Sequence, residues 1–138
     1  MFLTLGHPEL GFQEKFAFLY TKNHRFMANM YYSDDDLRHA HDVLTAFMEQ
    51  DGWHVKRQYH LDTAWVATFS HGNGGRVLGV NSEMDALPGV GHACGHNLIA
   101  IAGVAVSLAV KAALIEYDIS GQVVLLGTPG IYHSLLCE

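Results

Sequence analysis

The stretch V-L-G-V-N-S-E-M-D-A-L-P-G-V-G-H-A-C-G-H-N, Val77 to Asn97, decides how this chain folds. Val77 to Asn81 is a short apolar run that reads as a strand, and it leads through Ser82-Glu83-Met84-Asp85 into a glycine-rich loop, Pro88 to Gly95. An alanine-rich stretch from about Asn97 to Ile115 follows, apolar on nearly every side, which predicts a buried helix rather than an amphipathic one. Val123 to Leu126 is a second fully apolar strand, closed by Gly127-Thr128-Pro129. Strand, loop, long helix and strand form a βαβ unit, with a parallel strand pair and a right-handed crossover. The fold class is therefore α/β.

Working outward, Leu37, Ala40, Val43, Leu44 and Phe47 recur along one helical face, predicting a helix over Asp34–Gln50 with Ser33 or Asp34 as N-cap and Gly52 just past its end. Trp53 to Gln58 and Thr63 to Phe69 read as two strands. His71-Gly72-Asn73-Gly74-Gly75 supplies the left-handed conformations of a tight turn. The tail, Gly130 to Glu138, fits no element well.

At 138 residues the chain has about one domain's length. A hydrophobic content of 49% is enough for a core, whereas 16% charged residues leave a thinly solvated surface suited to a partner. A net charge of −6 argues against nucleic acid or an anionic membrane as partners. Ten histidines would reverse that sign in acid, though they are scattered. Cys94 and Cys137 are too few for a disulfide scaffold. The opening residues lack the basic segment of a signal peptide. The uncharged run Leu98–Val110, closed by Lys111, is shorter than the ~20 residues of a membrane span. A cytoplasmic location is expected.

The chemistry concentrates in Glu83 to Asn97. The first part lies at the carboxyl end of a strand, where open α/β sheets place their ligands. Glu83 and Asp85 are two apart, so an extended backbone points both carboxylates the same way. Cys94 and His96 share that spacing, and together a thiolate and an imidazole suit zinc if both lie in the loop. Asp85 then serves as the carboxylate that fixes a histidine tautomer or bridges to the metal. His92 lies on the same face and is either a third ligand or a hydrogen-bonded loop residue. Solvated strand-end carboxylates and an ordinary loop cysteine remain the bland alternative.

The whole string resembles the M-twenty metallopeptidases, the zinc-dependent aminoacylase and glutamate-carboxypeptidase superfamily. The nearest branch holds aminobenzoyl-glutamate hydrolases, auxin-conjugate hydrolases and the M-twenty-domain-containing-protein-2 type of dipeptidase. It carries D/E-x-D-A-L-P followed by H-A-C-G-H-D/N, both intact here, and Asn97 points to the dipeptidase-like group. His7-Pro8-Glu9-Leu10-Gly11-Phe12-Gln13-Glu14, Gly52-Trp53-His54-Val55, Thr63-Ala64 and Gly127-Thr128-Pro129 follow in the family's order. The resemblance implies a truncated zinc-peptidase catalytic domain with a mixed sheet, covering residues 1–129. It implies Cys94 and His96 as metal ligands, Asp85 as the supporting carboxylate, and Glu83 where other branches have a ligand histidine. The cofactor would be zinc, with manganese or cobalt as substitutes, and the substrate a dipeptide or N-acyl amino acid.

Three departures qualify this. Gly-Thr-Pro is followed in the family by Ala-Glu-Glu, which supplies the general base and a further ligand, whereas here Gly130-Ile131-Tyr132-His133 follows. The family's later ligands and dimerisation domain have no counterpart in this sequence. Phe18 to Ala40 reads as an insertion, and residues 130–138 as an unrelated tail. The expectation is a metallohydrolase by descent, inactive as written and binding metal weakly. The alternatives are a non-catalytic chain that forms homo- or hetero-oligomers through an exposed sheet edge, and a thiol enzyme with Cys94 as nucleophile.

Overall fold

The computed structural model describes residues 34–87 and 90–130. Their order is α1 (Asp34–Gln50), β1 (His54–Arg57), β2 (Trp65–His71), β3 (Arg76–Glu83), α2 (His96–Glu116) and β4 (Gly121–Thr128). The N-terminal family-like segment, most of the presumed insertion and all of the tail after Gly130 lie outside the described residues. α1 runs unbroken through Ala40 and His41, so the presumed end of the insertion falls inside one helix.

The four strands form one mixed sheet in the order β1-β2-β4-β3. β1 and β2 make an antiparallel hairpin, and β2 is antiparallel to β4 with Trp65 opposite Gly127. β3 and β4 are the parallel pair of the βαβ unit, in register from Arg76–Gly121 to Glu83–Thr128. The fold is thus α/β, as the patterning predicts.

Burial alternates along β4, with Val123 and Leu125 fully buried. These side chains meet Trp65 and Ala67 of β2, and both helices lie over them. Leu44 and Met48 of α1 and Ala100, Val104 and Leu108 of α2 complete one continuous core. α1 ends as its sequence dictates. Gly52, at φ 79°, lets its own N–H bond the Glu49 carbonyl and the Trp53 N–H bond the Met48 carbonyl, each at 3.0 Å. The chain then turns directly into β1.

Two contacts leave no room for a side chain. A Cβ on Gly127 would lie 2.0 Å from the Trp65 indole, and one on Gly103 would lie 2.5 Å from the Asn81 carbonyl oxygen. Gly103 therefore lets α2 settle against β3, where the Ser82 hydroxyl donates to the Ala100 carbonyl at 3.0 Å.

α2 has the expected bounds to within a residue, but its burial departs from expectation: only one side of this 21-residue helix is buried. Leu98, Ile99, Val106 and Ile115 are exposed, because the two helices share one face of the sheet and nothing among the described residues covers the outer side of α2. By length and composition it is the one helix among the described residues that could cross a membrane. Here it packs on the sheet. Within it the Lys111 ammonium finds partners: the Asp51 carbonyl, the Asp51 carboxylate at 2.9 Å, and the faces of Trp53 and Phe69.

Candidate active site

Glu83 and Asp85 sit at and just beyond the end of β3, and His96 begins α2. β3 is held to β4 up to its last residue, and the Met84 N–H then bonds the Thr128 carbonyl at 2.9 Å. This aims Asp85 inward at 4% exposure. The loop returns through Gly95, whose left-handed backbone (φ 78°) reverses the chain directly before His96.

The result is a carboxylate–imidazole pair. Nδ1 of His96 lies 2.6 Å from Oδ1 of Asp85, and both side chains are buried. A carboxylate only accepts, so Nδ1–H donates to Asp85 and Nε2 is turned outward. Nε2 faces Oε2 of Glu83 at 3.5 Å. Glu83 is steered from its other side, where the Asn81 side-chain amide donates to Oε1 at 3.2 Å. The Thr128 hydroxyl in turn donates to the Asn81 side-chain oxygen Oδ1 at 3.2 Å, linking β4 to this arrangement.

Cys94 does not join the group. It is a free, exposed thiol, and among the described residues no three His, Cys, Asp or Glu side chains are gathered to hold a metal ion. Spacing put Cys94 and His96 on one face of an extended loop. The reversal at Gly95 and the start of the helix at His96 replace that geometry, and Asp85 is what His96 meets. His92 is half-buried in the loop. Asn81 and Thr128 escape a reading by residue type. Their signal is strand alternation, which puts both on the sheet face that Glu83 shares.

Gly130 closes the site's other side. A Cβ there would stand 3.5 Å from the Asp85 Cβ. Gly130, the residue directly after Gly-Thr-Pro, thus lies beside the buried pair, and the resemblance calls for Ala-Glu-Glu from this position on.

No family model matches the chain. Individual proteins do. Over 106 residues it is 42% identical to the human Xaa-Arg dipeptidase, covering 66% of this chain and 24% of that protein. The mouse Xaa-Arg dipeptidase is 44% identical over 101 residues, covering 65% and 23%.

Over about two thirds of its length the chain is homologous to part of these dipeptidases, in keeping with the M-twenty resemblance of its motifs.

A bacterial member, one of the subunits of the p-aminobenzoyl-glutamate hydrolase of Escherichia coli, is 33% identical over 105 residues, covering 63% of this chain and 21% of that protein. The chain therefore spans about a quarter of the length of the curated M-twenty relatives it matches. The M-twenty family is metal-dependent. The donor set here fits a metal in part: a buried imidazole whose tautomer is fixed by a carboxylate, its second nitrogen open towards Glu83.

Proposed function

We propose that residues 77–130 form part of the metal-binding region of a hydrolase acting on the amide bond of a dipeptide or N-acyl amino acid. The observation that carries this is the buried 2.6 Å contact between Asp85 and His96 in a chain homologous to dipeptidases. Holding Nδ1 fixes the ring's orientation and leaves Nε2 as the nitrogen that a metal would take. His96 would hold zinc with Cys94 as the partner that the resemblance adds, and manganese or cobalt could take zinc's place. When bound, such a metal polarises a carbonyl and lowers the pKa of water.

The chain's own residues stop short of turnover. Amide hydrolysis needs a base that takes the proton from the attacking water. The strand end beside Asp85 carries Gly130 and then Ile131, neither of which can accept a proton. Among the described residues, Glu83 is the other carboxylate at His96, and it faces the ring from the β3 side. This sequence is expected to show no amide hydrolysis, since loss of a general base alone lowers rates ~10²–10⁴-fold. The assay is the purified chain with excess zinc, manganese or cobalt on dipeptides and N-acyl amino acids. Turnover that vanishes in Cys94→Ala and Asp85→Ala would overturn the inactive reading.

A second reading is association without catalysis. Among the described residues the outer edge of β3 pairs with no strand, and Val77 and Leu78 on it are 65% and 43% exposed. An unpaired, partly apolar edge is a template for another strand.

A further inference from the structure

We propose that β3 pairs antiparallel with β3 of a second copy of this chain, joining the two sheets about a two-fold axis at Gly79. This rests on the association reading above and names its partner.

The choice of edge is the first argument. Among the described residues the sheet ends in β1 on one side and β3 on the other. β1 is four residues long and carries Lys56 and Arg57, both exposed, the kind of short, charged edge that resists pairing. β3 is eight residues long and uncharged between Arg76 and Glu83, with Val77 and Leu78 exposed. Its two charges are of opposite sign and stand at opposite ends, so an antiparallel copy brings unlike ends together.

Symmetry then fixes the register. The Met84 N–H bonds the Thr128 carbonyl, so alternation turns the backbone groups of Val77, Gly79 and Asn81 away from β4, towards the free edge. A two-fold axis normal to the sheet keeps each face on its own side, and only residues of the same face oppose one another. With the axis at Gly79, Val77 opposes Asn81, Leu78 opposes Val80 and Arg76 opposes Ser82, all within β3. An axis at Val80 would set the Glu83 carboxylate against Val77. An axis at Leu78 would draw Gly74, outside the strand, into the ladder opposite Ser82. Gly79 also leaves the centre clear, since even a Cβ there would meet nothing within 4 Å.

Packing on the helix side is the third argument. Val80 packs against the core, so Leu78, two residues away, shares the sheet face that the helices cover. α2 approaches β3 through Gly103, which lies against Asn81. Ile99 and Val106, four residues before and three after Gly103, continue that side of the helix and are exposed. The two-fold places both copies of α2 on one face of the joined sheet, with these flanks towards each other. Each copy thus covers the apolar surface that the other leaves open, which is the self-complementarity an isologous interface requires.

Disulfide cross-linking of the full chain tests this, in a Cys94→Ser, Cys137→Ser background with one new cysteine at a time. Residues opposed across an antiparallel pair bring their Cα atoms within ~5.5 Å, inside disulfide reach. Gly79→Cys is therefore expected to give a covalent dimer on mild oxidation. Val77→Cys, whose two copies lie well apart along the ladder, and Lys56→Cys on the β1 edge are expected to give none. Leu78→Lys sets like charges diagonally across the axis and is expected to weaken the dimer at least ~10-fold in sedimentation velocity. Melting temperatures check that each variant folds. A dimer that cross-links at Lys56→Cys and not at Gly79→Cys, or keeps its affinity in Leu78→Lys, would overturn the β3 pairing and leave association intact. A chain that stays monomeric at every concentration would overturn both.

Discussion

Arg57 on β1 grips Glu49 near the end of α1 through two hydrogen bonds, Nε to Oε1 at 2.9 Å and Nη2 to Oε2 at 2.8 Å. The Arg57 hydrogen bond holds the Glu49 carboxyl below its ordinary value of 4.5. The guanidinium is correspondingly raised and stays charged throughout. A carboxylate with a depressed folded pKa stabilises the fold above its unfolded pKa and loses that contribution as pH falls through the folded value. Arg57→Gln is therefore expected to lower stability at neutral pH by no more than ~1 kcal/mol, since the pair is nearly half exposed. Denaturant melts should show the gap to wild type narrowing below pH 4.5 and shrinking in salt. At this same scale the sequence was only half legible. Glu83, Asp85 and His96 stood out by residue type and position. Which of them touch was set by one left-handed residue, Gly95, and no spacing rule for extended chain survives such a reversal.

Among the elements, α2 separates what patterning can show from what it cannot. Its existence and near-boundaries followed from an unbroken apolar run, and α1 and the strands followed from their periodicities. Burial on all sides did not follow, because a run of Ala, Val, Leu and Ile looks the same whether one side or every side is covered. The side lying on β3 and β4 is marked only by Gly103 and Ser107, small residues that permit close approach. Substitution distinguishes the two sides. Val106→Lys, on the exposed side, is expected to shift stability by less than ~0.5 kcal/mol. Gly103→Val forces a branched side chain into the Asn81 carbonyl and should unfold the unit or cost several times more. Equal melting temperatures for the two variants would contradict the packing described.

At the scale of the molecule, the described residues cover one sheet face and leave the outer edges of β1 and β3 and one flank of α2 uncovered, with apolar surface in contact with water. Such surface associates. The chain is expected to form concentration-dependent oligomers, read by sedimentation velocity across a hundredfold range of concentration. A monodisperse monomer with a sharp cooperative melt would count against association through β3. Charging that edge with Val77→Lys and Leu78→Lys should reduce it, as charges on natural sheet edges do.

The strand order also dictates a schedule. β4, the last of the described strands to be synthesised, is the one that sits between β2 and β3. Until it emerges from the ribosome, the nascent polypeptide has only the β1–β2 hairpin, which is marginal by itself, and two helices without a platform. Its arrival joins positions as distant in sequence as Trp65 and Gly127 in a single event, so loop closure precedes almost every rewarding contact. Folding of this unit thus waits for Gly121–Thr128. A synthesis arrested before Gly121 would hand the cell's quality-control machinery a chain with no core to protect it.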